Sequence, residues 1–78
     1  MNKDVYQKFA TKLQELRKAK NFSKGQLSVE AECSKSYIGK IESGQKFPNF
    51  KMLVKLAEAL GVHLKDLFDF EYDLDNNN

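Results

Sequence analysis

Apolar residues recur along this chain at helical spacing, interrupted by polar caps at short intervals. From Asp4 onward, Val5, Phe9, Leu13 and Leu16 fall at i, i+4, i+8 and i+11, with Lys8, Lys12 and Glu15 between them and Lys18 after. That pattern predicts an amphipathic helix ending near Lys20 to Asn21, since Asn tolerates the left-handed cap. Ser23 followed three residues later by Gln26 is a capping box, so a second helix starts at Lys24 with a short apolar face of Leu27 and Ala31. Ser34 offers the next cap. A third helix from Lys35 places Ile38 and Ile41 on one face and Lys35, Ser36, Gly39, Lys40 and Ser43 on the other, with Gly44 as its left-handed stop.

The loop from Gln45 contains Pro48, which stops any continuation, and Asn49, which can cap a fourth helix. Phe50, Leu53, Leu56, Ala57 and Leu60 are the expected buried face of that helix, and Gly61 ends it. His63 is placed to cap a last short helix, Leu64 to Phe68. The expectation is therefore an all-α fold of five helices. The second and third are too short to stand alone, so the flanking helices must complete their core.

After Phe68 the period changes. Phe68, Phe70, Tyr72 and Leu74 alternate with Asp69, Glu71, Asp73 and Asp75, the period of a half-buried strand. A lone strand leaves its ladder unpaired, so a strand here needs a second copy of itself or another edge; the alternative is a frayed tail whose aromatics brush the body. This divides the chain into a helical body, residues 1–68, and an acidic tail, residues 69–78, that is a candidate dimerisation strand.

Composition narrows the function. A chain of 78 residues with 41% hydrophobic content supports one core. The single cysteine excludes an internal disulfide, and with the single histidine it falls short of a zinc site. No apolar run spans a membrane and the polar start is no signal peptide, so a soluble, cytoplasmic protein is expected. The net charge of +2 hides an asymmetry: residues 1–68 hold all 13 Lys and Arg and seven of the 11 acids, whereas the tail holds four acids and no base. A basic body favours phosphate backbones as partners. With no Ser-His-Asp set and no Gly-rich phosphate loop, no catalytic residues, cofactor or small-molecule ligand are expected.

Ser23 to Gly44, extended by Phe47-Pro48-Asn49 and by the run from Leu53 to Val62, resembles the Cro and lambda-repressor class of helix-turn-helix regulators, the XRE-like family. The resemblance covers roughly Phe9 to Phe68 and rests on many small matches, among them LQELR at 13–17, YIGKIESG at 37–44 and LAEALGV at 56–62. It implies a lambda-repressor-like DNA-binding domain whose third helix enters the major groove of double-stranded DNA. Residues matching Lys35, Ser36 and Lys40 touch base edges in that family, with Tyr37 at the edge of the same surface. Ser23 and Lys24 resemble one backbone clamp, and Ser43, Gln45 and Lys46 the opposing one. Arg17 and Glu42 match positions that pair structurally. The chain departs from the family pattern at Lys24, where Gln is usual, at Gly39, where a small polar or charged residue is usual, and at Cys33, where an aliphatic residue is usual.

The resemblance therefore implies a sequence-specific transcription regulator, a repressor or autoregulator, that binds an inverted-repeat operator as a homodimer. Autoregulating or phage-like repressors, restriction-modification controllers and antitoxin partners all fit. A protein-interaction module that uses the same fold, with DNA binding secondary, is the alternative.

Overall fold

The computed structural model describes residues 3–72 and contains four α-helices: α1, Lys3–Ala19; α2, Lys24–Glu30; α3, Lys35–Glu42; and α4, Phe50–Leu60. A 3-10 turn, Leu64–Phe68, comes after them. The fifth helix expected from sequence thus has the expected span but a tighter winding. Five residues can close few i to i−4 bonds, and here the Asp66 N–H reaches back only three residues, to the His63 carbonyl at 2.9 Å. His63 occupies the cap position, but the bond across the turn is supplied by Asp66, whose carboxylate accepts from the His63 N–H at 2.9 Å.

Short polar side chains start the helices after α1. Ser23 Oγ accepts from the Gln26 N–H at 3.0 Å while Gln26 Oε1 accepts from the Ser23 N–H at 2.7 Å, closing the capping box. Ser34 Oγ accepts from the Tyr37 N–H at 3.0 Å, and Asn49 Oδ1 from the Met52 N–H at 2.8 Å. These bonds satisfy donors that a helix start leaves orphaned.

All four helices stop in the same way. A left-handed residue lies just past each, Asn21, Glu32, Gly44 and Gly61, with φ of 63°, 59°, 82° and 69°. In each case the next N–H returns to the carbonyl five residues back: Phe22 to Arg17, Cys33 to Ser28, Gln45 to Lys40 and Val62 to Ala57, at 2.9–3.1 Å. This is the double-bonded stop that caps orphan carbonyls. Asn and Gly take it at small cost, whereas Glu32 takes it against its own steric preference.

Phe9, Leu13, Leu27, Ile38, Ile41, Leu56 and Leu67 form the fully buried centre, drawn from every element. Deleting one of these large side chains typically costs about 2–5 kcal/mol, so they fix how the elements meet. The core holds α3 by Ile38 and Ile41 and leaves its other face outward. Phe50 departs from expectation: it is 67% exposed, and the first turn of α4 meets the core through Met52 and Leu53.

The tail does not form a strand among the described residues; residues 73–78, Leu74 among them, lie outside that range. The Phe68, Phe70 and Tyr72 rings succeed one another at 6.4 and 6.2 Å, and Phe70 packs against the core and lines a groove beside Gln7, Lys8, Thr11, Lys12 and Glu15 of α1. Phe68 and Tyr72 are exposed and only Phe70 is half-buried, so the period-two pattern here reports rings that succeed one another along an irregular segment, not the buried face of a strand.

Candidate nucleic-acid interface

The site begins with the face of α3 that the core does not use. Lys35, Ser36 and Lys40 are all exposed there, and Gly39 lies between them, half-buried. A Cβ added at Gly39 would meet nothing within 4 Å, so no packing contact, with Tyr37 or any other neighbour, requires glycine at that position. Tyr37 sits at the flank, half-buried and packed against the core. Burial pushes its hydroxyl pKa up, with the neighbouring Cys33 adding to the effect.

Two flanking segments meet the ends of α3. At its start, a Cβ placed on Gly25 would stand 3.8 Å from Ser23 Oγ and 4.0 Å from Lys35 Cδ, so the Lys35 stem runs beside the first turn of α2, where Ser23 and Lys24 are exposed. At its end, the Lys40 carbonyl accepts from the Ser43 hydroxyl at 3.1 Å, from the Gln45 N–H at 2.9 Å and from the Lys46 N–H at 3.2 Å. Ser43, Gln45 and Lys46 are thereby gathered against the helix that carries Lys40, and all three are exposed. Lys24, Lys35, Lys40 and Lys46 thus lie along the two flanking segments and the outer face of α3 as an exposed polar strip, with hydroxyl and amide groups among the charges. Such a strip suits an anionic backbone flanking a surface that offers donors and acceptors.

Beneath the strip lies a buried polar knot. Arg17 Nε donates to Glu42 Oε2 at 2.7 Å and its second terminal nitrogen to Glu42 Oε1 at 3.0 Å, a two-point fork. The remaining Arg17 nitrogen donates to the Phe22 carbonyl at 2.8 Å, and Gln14 Nε2 donates to Glu42 Oε1 at 3.3 Å. Arg17 and Glu42 are 7% and 8% exposed. The knot therefore ties α1, the entry to α2 and the end of α3 to one another. Sequence reasoning reached Arg17 and Glu42 through the family pattern but missed Gln14 and Gln7. The Gln7 side-chain amide covers Gly44, where an added Cβ would run into it. Their signal was present: Gln7 and Gln14 are seven residues apart, two uncharged polar residues on one flank of an otherwise lysine-rich helix.

Cys33 lies in the turn between α2 and α3, half-buried and packed against the core. Burial pushes its thiol pKa up, and the nearby Lys55 ammonium partly offsets this. Lys55 Nζ also pairs with the Glu32 carboxylate at 3.0 Å. Among the described residues no cluster of His, Cys, Asp and Glu could hold a metal ion, and no helix is long and apolar enough to cross a membrane.

A helix held on the core by two isoleucines, with a polar face between two exposed polar segments, is a layout that comparison with known proteins places in a family. The helix-turn-helix model HTH_3 matches residues 13–67. The chain belongs to the XRE-like helix-turn-helix family. Members of this family are DNA-binding transcription regulators, not enzymes. The HTH-type transcriptional regulator SlrR of Bacillus subtilis is 46% identical over 56 residues, covering 70% of this chain and 37% of SlrR. The control protein C.BamHI of Bacillus amyloliquefaciens is 34% identical over 71 residues, covering 90% of this chain and 88% of that protein. The crystal structure of the restriction-modification controller C.AhdI from Aeromonas hydrophila superposes with a TM-score of 0.79 at 36% identity, covering 81% of this chain and 96% of the controller. The chain thus spans little more than a third of SlrR but nearly the whole of the two controllers.

Proposed function

We propose that this protein is a sequence-specific transcription regulator of the controller type, which binds an inverted-repeat operator as a homodimer through the major groove. One observation carries the reading: Lys35, Ser36 and Lys40 stand exposed on the face of α3 opposite the buried Ile38 and Ile41. Lys35 and Lys40 suit guanine O6 and N7, Ser36 can donate or accept, and each good base contact discriminates by about 1–3 kcal/mol. Tyr37 borders that surface. Ser23, Lys24, Ser43, Gln45 and Lys46 contact phosphates and set register. The match to C.BamHI and C.AhdI over almost their whole lengths favours a controller, acting as a repressor or autoregulator, over the other regulators the fold serves.

A single recognition helix covers too few base pairs for a regulator, and two related by a two-fold read successive major grooves about 34 Å apart. Selection of bound sequences from random duplex DNA tests the reading directly. The enriched sequences are expected to contain two related half-sites with one-turn spacing. Lys35→Ala is expected to change which bases are preferred, and Lys46→Ala to weaken all sequences alike while lowering the salt slope by about one unit. Enrichment of no common sequence, or equal losses by both variants on selected and random duplexes, overturns the proposal.

A further inference from the structure

Phe47 sits directly after Lys46 and is half-buried, packed against the core. Its ring stacks on Tyr6 with centroids 5.3 Å apart and planes 18° from parallel, tilts against Phe9 at 4.9 Å, and lies 6.5 Å from Phe68. Phe68 in turn meets Phe9 at 5.4 Å and Phe70 at 6.4 Å. The start of α1, the loop after α3 and the segment after the 3-10 turn, distant in sequence, therefore share one ring cluster. The loop between α3 and Phe47 consists of exposed polar residues around Gly44. The Lys40 carbonyl holds the loop as far as the Lys46 N–H, and Phe47, the next residue, is seated among the rings.

We propose that this ring cluster is a positioning element for Gln45 and Lys46, in which Tyr6 and Phe68, through Phe47, set how firmly the loop presents its backbone-contacting groups. The inference rests on the DNA-binding reading of that loop. Aromatic side chains have few rotatable bonds and stack in defined geometries, so a ring seated among rings fixes the chain that carries it. A loop ordered before binding loses less conformational freedom on contact, which strengthens the complex without adding a contact. Because phosphate contacts are independent of sequence, the gain applies to every duplex equally and leaves base preference to α3. Tyr6 and Phe68 are thus positioning residues.

The test uses the full chain with Tyr6→Ala and the ring-preserving Tyr6→Phe. Backbone 15N relaxation of the free protein reads the loop itself. Tyr6→Ala is expected to lower the order parameters of Gln45 and Lys46 while those of α2 and α3 stay unchanged, and Tyr6→Phe is expected to keep the native values. Titration against the selected duplex and a random duplex of equal length should show Tyr6→Ala weakening both by the same factor, about threefold to tenfold. In a Lys46→Ala background the same change should cost distinctly less, because the group being positioned is gone. Unchanged order parameters, a loss confined to the selected duplex, or full additivity with Lys46→Ala overturns the proposal. Should the native protein bind neither duplex, the DNA-binding reading fails while relaxation still decides whether the rings hold the loop. If Tyr6→Ala does not fold, Phe68→Leu, which removes a ring that is 38% exposed, replaces it in the same measurements.

Discussion

Among the described residues, two ion pairs tether the helix-turn-helix to the rest of the molecule, and they are built on opposite principles. Arg17 and Glu42 join α1 to the end of α3 at 2.7 Å, with the Glu42 side chain 1% exposed. Lys55 and Glu32 join α4 to the turn between α2 and α3 at 3.0 Å, with the Glu32 side chain 74% exposed. The buried pair has its remaining capacity filled by Gln14 and by the Phe22 carbonyl, whereas the outer pair stands largely in water. The first costs much to desolvate and much to break, so it orients; the second is screened and contributes little. Glu32 also holds its backbone at φ 59°, so the outer pair decorates a residue already in an unfavourable conformation.

The largest expected effect comes from breaking the inner pair. Glu42→Ala leaves the Arg17 guanidinium buried without its carboxylate and should cost about 3–5 kcal/mol, read from urea or thermal unfolding. Replacing both partners, Arg17→Met with Glu42→Leu, should recover most of that loss. A double variant as unstable as Glu42→Ala would mean that the pair is irreplaceable for stability and not chiefly orienting.

Deleting the outer pair can be made to stabilise. Glu32→Gly removes the carboxylate that meets Lys55 but relieves the left-handed strain, and the net expectation is a gain of about 1 kcal/mol. A loss of that size in chemical denaturation would show the outer pair to be worth more than its exposure suggests. The smallest expected change is Lys55→Ala, a loss of about 0.2–1 kcal/mol that fades in high salt. The same variant moves Cys33. The thiol is raised by burial and lowered by Lys55, so removing the ammonium should push it up further, reduce the thiolate present near neutral pH and slow alkylation by iodoacetamide. Faster alkylation would contradict this sign, provided the fold remains intact.

The contrast also explains which features are legible in the sequence. Ser23, Ser34 and Asn49 announce helix starts because a short side-chain oxygen one position before an apolar period has one good use there. Asn21, Gly44 and Gly61 announce stops for the corresponding reason. Glu32 is invisible as a stop, since nothing in a glutamate favours the left-handed region. The outward residues of α3 can be read from two isoleucines three apart. Gln7 and Gln14 mark one flank of α1, but which groups they and Arg17 meet depends on how α1 crosses α3, a property of the packed core and not of any local pattern. Phe50 misleads for the same reason: its spacing matches the buried face of α4, but Met52 and Leu53 are the residues of that turn that meet the core. Beyond Phe68, alternation identifies which side chains share a face and overstates what the backbone does, since side-chain period is blind to whether a neighbouring edge exists.

The carbonyl of Lys40 separates two tasks within one residue. Its oxygen gathers Ser43, Gln45 and Lys46 whatever side chain the residue bears, while the side chain itself is exposed. Position 40 can therefore change its chemical preference without loosening the loop beside it, and the loop can keep its place while the residue is exchanged. If positions 35, 36 and 40 read the bases as proposed, single substitutions at these exposed sites change the target while leaving the buried face of α3 untouched.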